Sequence, residues 1–566
     1  MNMGSSAALI VALASVSIGA YGTSHEVAPG PHIQRLQQQQ VEAANAANPR
    51  PDALVPEVSG PVNSNLKHLP ADKPCFAIDR LEVHDNAFDW LSRILQPIAG
   101  QCVGKGALKQ IQETANNALI ERGYVTSRVL VPPQSLESGV LTLRVVPGRL
   151  SEVRASQPAI GWLRSAVPTG PGEILSQRDI DQAIENVRRL QSQADATIDI
   201  APGTQPGDSE IVLHSDLGKR WHALIGVDNA GLNGTGKYDL SGSFTFDSPL
   251  HLYDQLQIAG MANANFGSRE KGNRSISINY SVPIGYTLLT VAASRSRYKQ
   301  TVPGFEEPIR YSGAQSQSQL GVSRVVHRNA HARTEIRGSL FYKASRNYVD
   351  GVDVSSQSRD AVGYEVGVAH RRYVGNIVLD GALAWRASVP ALSSNPGTVI
   401  DAPNFNGNTQ IELASFGAQV PIHVGAHRFS YAFSWNTQNA RTHVMPADFF
   451  TIGTRYSVRG FDQQLTLAAE SGWAVSNEFD WYIPTPIGIQ ALYVGVDAGR
   501  VRGHAAQYLS GRTLVGSVMG ARGSLATKRA LGAVANYDLS VGWPLAKPDG
   551  FRTSSPTLLF QVSTLF

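Results

Sequence analysis

From about Leu217 to Phe566 the hydropathy of this chain alternates with a period of two, and the alternation runs for roughly 350 residues. Ser275 to Val282 reads Ser-Ile-Ser-Ile-Asn-Tyr-Ser-Val, and Trp221, Ala223, Ile225 and Val227 alternate with His222, Leu224, Gly226 and Asp228. Leu558, Phe560, Val562, Thr564 and Phe566 likewise share one face at the C-terminus. Such a period is that of β-strands with one apolar and one polar face. A water-soluble arrangement of this length needs several separate cores. A closed membrane barrel needs none, because lipid covers the apolar face and closure removes the edges. At about 22 residues per strand and connection, the segment predicts about 16 strands of about 10 residues. A barrel that wide has a lumen that side chains cannot fill, so it holds water or a plug.

Composition enters as support. The mean hydropathy of -0.14 is too low for a helical membrane protein but is what alternating lipid-facing and lumen-facing residues average to. With 49 Lys and Arg against 45 Asp and Glu, a net charge of +4 and 17% charged residues, neither disorder nor a nucleic-acid binder dominated by a basic patch fits.

The N-terminus predicts export. Ala7 to Ala20 is an apolar run, too short to span a bilayer, that closes in small residues, so residues 1–22 read as a secretory signal even though no Lys or Arg precedes Arg35. Residues 23–48 carry a polar segment with helix propensity and a thin apolar stripe of Ile33, Leu36 and Val41 beside Arg35. It cannot build a core and is expected as a lone helix against, or inside, something larger. Residues 49–74 are proline-rich and aperiodic, an extended linker. The two cysteines, Cys75 and Cys102, have no CxxC spacing and no His cluster beside them. In an oxidising compartment a disulfide is the leading reading and two buried thiols the other.

Residues 75–148 and 149–216 then show the same order twice. In the first, Cys75 to Val83 alternates as a strand and Phe88 to Leu95 is a short apolar helix. Leu108, Ile111, Ala115 and Leu119 mark a second helix that Gly123 stops, and strands at Ser127 to Val131 and Val140 to Val146 follow. In the second, the elements are a strand at Leu150 to Ala155, a short helix at Ile160 to Val167, and a capped helix beginning at Ser176-Gln177-Arg178-Asp179. Strands at Ala196 to Ile200 and Glu210 to Ser215 complete it. Two successive β-α-α-β-β modules ahead of a barrel make the fold mainly β.

Catalytic chemistry has no foothold. Gly231 to Lys237 fits the phosphate-loop spacing, but Tyr238 stands where a Mg-binding hydroxyl belongs and the segment joins two alternating strands, so it reads as a hairpin turn. Neither HExxH nor GxSxG occurs, and no metal, cofactor or catalytic residue is expected. The informative segment is Arg455-Tyr-Ser-Val458-Arg459-Gly460-Phe461-Asp462, together with Tyr493-Val-Gly495-Val-Asp497-Ala-Gly499. An inward Asp497 flanked by glycines leaves room for a loop to approach its carboxylate, and an Arg–carboxylate pair in a partly desolvated lumen would fix that loop.

On these residues the whole chain resembles the two-partner secretion transporters, the TpsB family of POTRA-plus-barrel outer-membrane exporters. Val458-Arg459-Gly460-Phe461 is similar to the family's VRG(F/Y) tip of the inward-folded sixth loop, and Asp497 to the acidic wall residue that pairs with it. Further matches are Cys75-Phe76, Ile120-Glu-Arg-Gly-Tyr124, Asp247-Ser-Pro249-Leu250, Ser281-Val-Pro283-Ile-Gly285-Tyr286 and Asn477-Glu478. Ile452-Gly453-Thr454 departs from the family's usual Gly pair. The resemblance implies a plug helix (residues 31–48), two periplasmic POTRA modules, and a 16-stranded barrel at residues 217–566. Phe566 takes the place of the C-terminal signal read by the barrel-assembly machinery. The implied partners are a large unfolded TpsA-type exoprotein (adhesin, haemolysin or contact-dependent toxin), periplasmic chaperones during biogenesis, and outer-membrane lipid, with the chain itself a monomer. The implied transport uses no ATP: the modules capture the substrate by β-augmentation and its folding outside prevents return. A superfamily insertase and a passive channel are the alternatives.

Overall fold

The computed structural model describes residues 66–70 and 73–566, apart from 217, 233, 265–266, 269, 303–308, 396, 400–401 and 527–533. The signal, the plug segment with Ile33, Arg35, Leu36 and Val41, and most of the linker lie outside the described residues.

Sixteen antiparallel strands, from Trp221–Asp228 to Thr557–Leu565, close into a barrel, with a two-residue piece, Val352–Asp353, paired to the end of Ala332–Val349. The alternation places Trp221, Ile225, Ile276, Ile278 and Ile284 on the exposed outer face, whereas Asn273 and Ser281 turn inward and are buried. Tight turns close the end that faces the two modules, as at Gly285, whose φ of +57° takes the left-handed region at no steric cost. The opposite end carries the long loops. Gly231 to Lys237 is one of them, a hairpin connection with Gly231 N–H donating to the Lys237 carbonyl at 3.1 Å. The first and last strands meet through five residue pairs, Asp228–Gln561 to Leu224–Leu565, and Phe566 N–H extends them by donating to the Ala223 carbonyl at 2.8 Å. At the other end of this seam the Asn229 side chain stands in for a peptide unit. Its Oδ1 accepts from Phe560 N–H at 2.8 Å and its Nδ2 donates to the Leu558 carbonyl at 2.9 Å.

In the first module, helices Asp89–Leu95 and Lys105–Glu121 cover a three-stranded sheet in which Val140–Val146 lies between Arg80–His84, parallel, and Arg128–Leu130, antiparallel. Ile78, Leu91, Leu95, Ile111, Leu119, Leu141 and Leu143 form its fully buried core. The expected single strand from Cys75 is split. Phe76–Ala77 pairs with Cys102–Val103, and the chain then changes partner, because Ile78 bonds to residues 100 and 101 while Asp79 and Arg80 turn to the Gly139 carbonyl. Cys75 and Cys102 are joined by a disulfide that ties the small sheet.

The second module repeats the sheet: Asp208–His214 lies between Arg149–Ala155, parallel, and Thr197–Pro202, antiparallel. Ser176 and Asp179 form the full capping box of helix Gln177–Arg188. The expected first helix at Ile160 to Val167 is reduced to one 3-10 turn, Leu163–Ser165. Docking explains the loss. Trp162 N–H donates to the His251 carbonyl at 2.6 Å and Ser165 Oγ to the Leu252 carbonyl at 2.9 Å, so the segment follows the barrel's first periplasmic turn.

The polar side of helix Gln177–Arg188 is buried as well, against the barrel turns. Asn186 Nδ2 donates to the Gly285 carbonyl at 2.8 Å, Tyr286 to Asp179 at 2.7 Å, and Glu185 accepts from both Arg328 and Arg333 at 2.5 Å. The Arg328 side chain is 4% exposed, so removing its counter-charge leaves a buried cation, a cost of about 3 kcal/mol. Glu185→Ala is therefore expected to loosen the second module from the barrel. Limited tryptic cleavage at Lys219, compared between variant and parent in the same detergent, measures this; equal rates contradict the docking role.

Candidate functional site

The connection between strands His427–Ala440 and Ser471–Thr485 folds back into the lumen. Its two arms pair as Phe450–Ile452 with Leu467–Ala469, and Ile452, Val458, Phe461 and Leu467 bury themselves against Val501, Leu514 and Phe551. Phe461 meets Phe551 edge-on at 5.7 Å between centroids. An apolar cluster thus seats the loop against the wall.

Arg459 lies at the tip. Its Nε and Nη2 bond the two oxygens of Asp497 at 2.6 and 2.9 Å, and its backbone N–H adds a third bond to Asp497 Oδ2 at 3.0 Å. This is the bidentate geometry that a planar guanidinium favours. Asp497 is 1% exposed and also accepts from Ser476 Oγ at 2.6 Å. The remaining Nη1 of Arg459 donates to Glu478, whose other oxygen accepts from Arg522. Arg522 pairs in turn with Asp480 at 3.0 Å and stacks over the Tyr493 ring at 4.0 Å. Two cations and three carboxylates thus form one partly buried chain from the loop into the wall.

Glycines make the approach possible. A Cβ on Gly495 would sit 2.6 Å from Arg459 Nη2, and one on Gly499 would sit 2.8 Å from Val458 Cγ2. Gly460, at φ +100°, presses so closely on strands Thr513–Ala526 and Val534–Ala546 that a Cβ would meet the Trp543 carbonyl oxygen at 2.5 Å.

A second anchor holds the other end of the loop. Asp448 is bonded by Lys343 Nζ at 2.9 Å and Arg359 Nη1 at 2.5 Å, from two strands different from those that hold Arg459. Burial would raise the Asp448 carboxyl, but the two cations outweigh it and keep it well below the usual carboxylate range. Between the anchors, Arg455 Nη2 reaches the Phe560 carbonyl of the last strand at 3.4 Å.

With this geometry in view, the comparison with known proteins is decisive. Residues 207–523 match the haemolysin secretion/activation protein family ShlB/FhaC/HecB, residues 76–148 a ShlB-type POTRA domain and residues 149–202 a POTRA domain. The chain belongs to the ShlB/FhaC/HecB family. It is 33% identical to the outer membrane transporter CdiB-2 of Burkholderia pseudomallei over 521 residues, 88% of each chain. With the hemolysin transporter protein ShlB of Serratia marcescens it shares 26% identity over 80% of this chain and 79% of the relative. The structure of CdiB from Escherichia coli superposes with a TM-score of 0.84 at 25% identity, covering 94% of this chain and 98% of that one. That from Acinetobacter baumannii gives 0.78 at 26%, covering 94% and 97%. A protein of this family lies in the outer membrane with its POTRA modules in the periplasm, so the long loops are extracellular.

The structure brings Val458, Arg459, Gly460, Phe461 and Asp497 together and sets Cys75–Cys102 and Phe566 far apart from them, in the first module and at the barrel seam. Sequence reasoning missed Glu478, Asp480, Arg522 and the Asp448 anchor as parts of the site. Ser476, Glu478 and Asp480 share the inward parity of their strand, a signal that was present; nothing local marks Asp448. Asp497→Ala leaves Arg459 one carboxylate, and the expected result is that trypsin added outside proteoliposomes cleaves the loop at Arg455 and Arg459, which the parent protects. Unchanged protection would show that the apolar cluster holds the loop alone.

Proposed function

We propose that this chain exports a large, unfolded TpsA-type exoprotein across the outer membrane, and that the Arg459–Asp497 pair governs the conduit. The observation that carries this reading is a polypeptide loop held inside a sixteen-stranded wall by ion pairs and one apolar cluster, contacts that can break without disturbing the backbone ladder. Substrate enters from the periplasm, where the modules offer sheet edges that accept an extended chain through main-chain hydrogen bonds with little demand on sequence. The two modules differ here. In the first, the outward groups of Val129 on edge strand Arg128–Leu130 are already occupied: its N–H donates to Asn116 Oδ1 at 2.7 Å and its carbonyl accepts from Gln112 Nε2 at 3.1 Å. In the second, edge strand Thr197–Pro202 carries no such cap among the described residues, and Pro202, which has no N–H, ends it. The captured chain then passes through the lumen after the plug segment, residues 31–48, has left it. Folding on the cell surface blocks return, so the step draws on no nucleotide. Assembly of the barrel begins from recognition of the final strand with Phe566 by the barrel-assembly machinery, and the protein works as a monomer.

Arg459→Ala is expected to reduce secretion of a co-expressed exoprotein into the medium at least about tenfold, since it leaves the buried Asp497 carboxylate without its cation, a cost of about 3 kcal/mol. Heat-modifiable gel mobility checks that the barrel still assembles. Full secretion by both Arg459→Ala and Asp497→Ala would sink the role of the pair. Deleting residues 31–48 is expected to raise single-channel conductance in planar bilayers, and an unchanged conductance removes the plug assignment.

A further inference from the structure

The outer wall carries a feature that export does not use. Strands Gly272–Ile284 and Thr287–Val302 form a hairpin whose outward parity bears Ile276, Ile278, Ile284, Leu289 and Val291, the apolar band that faces lipid. Immediately above that band, on the same parity and at the extracellular end, stand Arg274, Arg295, Arg297 and Lys299, all exposed. Arg274 is directly opposite Arg297, and Lys299 is opposite Gly272, which leaves the space beside it open. Alternate residues of a strand are about 7 Å apart, so Arg295, Arg297 and Lys299 form a ladder with Arg274 against its middle rung. The flanking strands contribute only small residues at these heights: Ser316, Ala314 and Ser312 beside the ladder and Ala262 beside Arg274.

Like charges placed directly opposite each other destabilise a sheet. Three other cations near the extracellular rim are answered within the protein, Arg310 by Asp350, Arg346 by Asp360 and Arg441 by Glu412. None of the four has a carboxylate partner among the described residues. What surrounds the barrel at that height can supply the counter-charge. In the outer leaflet of an outer membrane that is the phosphorylated sugar headgroup of lipopolysaccharide, and Arg forks match phosphate bidentately. We propose that this hairpin face is a binding site for the lipid A phosphates of lipopolysaccharide, with Arg297 and Arg274 gripping one phosphate between Arg295 and Lys299.

The test uses full-length protein purified free of lipopolysaccharide. Thermal unfolding, followed by heat-modifiable gel mobility, is titrated with bis-phosphorylated lipid A, dephosphorylated lipid A or inorganic phosphate. Bis-phosphorylated lipid A is expected to protect the parent. The variant Arg274→Ser/Arg295→Ser/Arg297→Ser/Lys299→Ser is expected to need at least about tenfold more lipid for half-protection, and replacing the three arginines by Lys should restore only part of the effect, since an ammonium keeps the charge but not the fork. Dephosphorylated lipid A should protect parent and variant equally and weakly. Should the quadruple variant fail to assemble, Arg295→Ser/Arg297→Ser is titrated instead, with a shift of at least about threefold expected. Equal half-protection of parent and variant, equal protection by the dephosphorylated lipid, or protection by inorganic phosphate alone would each overturn the proposal.

Discussion

The arrangement rests on the burial of one guanidinium. Arg459 lies inside a wall whose strands satisfy their own backbone, so its charge has to be answered by side chains. Asp497 answers it with two oxygens and Glu478 with a third. Those carboxylates sit on neighbouring strands, Gly488–Arg502 and Ser471–Thr485, so the loop is held to a specific place on the circumference. The apolar cluster around Phe461 packs the loop against the wall, and the charges supply position. A purely apolar loop of this size would slide along the wall; one with a bidentate pair at its tip has a single seat.

The same economy appears at the periplasmic rim, where Glu185 collects Arg328 and Arg333 as Asp448 collects Lys343 and Arg359 above. In each case one carboxylate gathers two cations from adjacent strands or turns, and a segment outside the barrel wall is fixed to it. Loop, wall and second module are thereby joined into one body, while the first module connects to it through the chain and a few contacts such as Gln177 N–H to the Gly123 carbonyl at 2.7 Å.

Much of this was legible in the sequence. The period of two survives in the structure because lipid on one side and the lumen on the other impose it on every strand, and it led directly to sixteen strands. Ser176 and Asp179 announced their helix because a capping box is local chemistry. The glycines beside Asp497 announced a close approach because only a missing Cβ admits Arg459. What stayed hidden depends on contacts between distant segments. The helix expected at Ile160 to Val167 gave way to docking against His251 and Leu252, which no local propensity encodes. Asp448 looked like any loop carboxylate, because Lys343 and Arg359 lie about a hundred residues away in sequence.

Helix Gln177–Arg188 has no free side. Its apolar face builds the second module's core, and Asp179, Gln182, Glu185 and Asn186 are spent on the barrel's turns. The natural joint for exchanging parts between transporters is thus not the junction near residue 217, where a strand count alone would place it. It lies between the modules, near Gly148. A chimera cut there carries each lock together with its key, and one cut at the start of the barrel separates them.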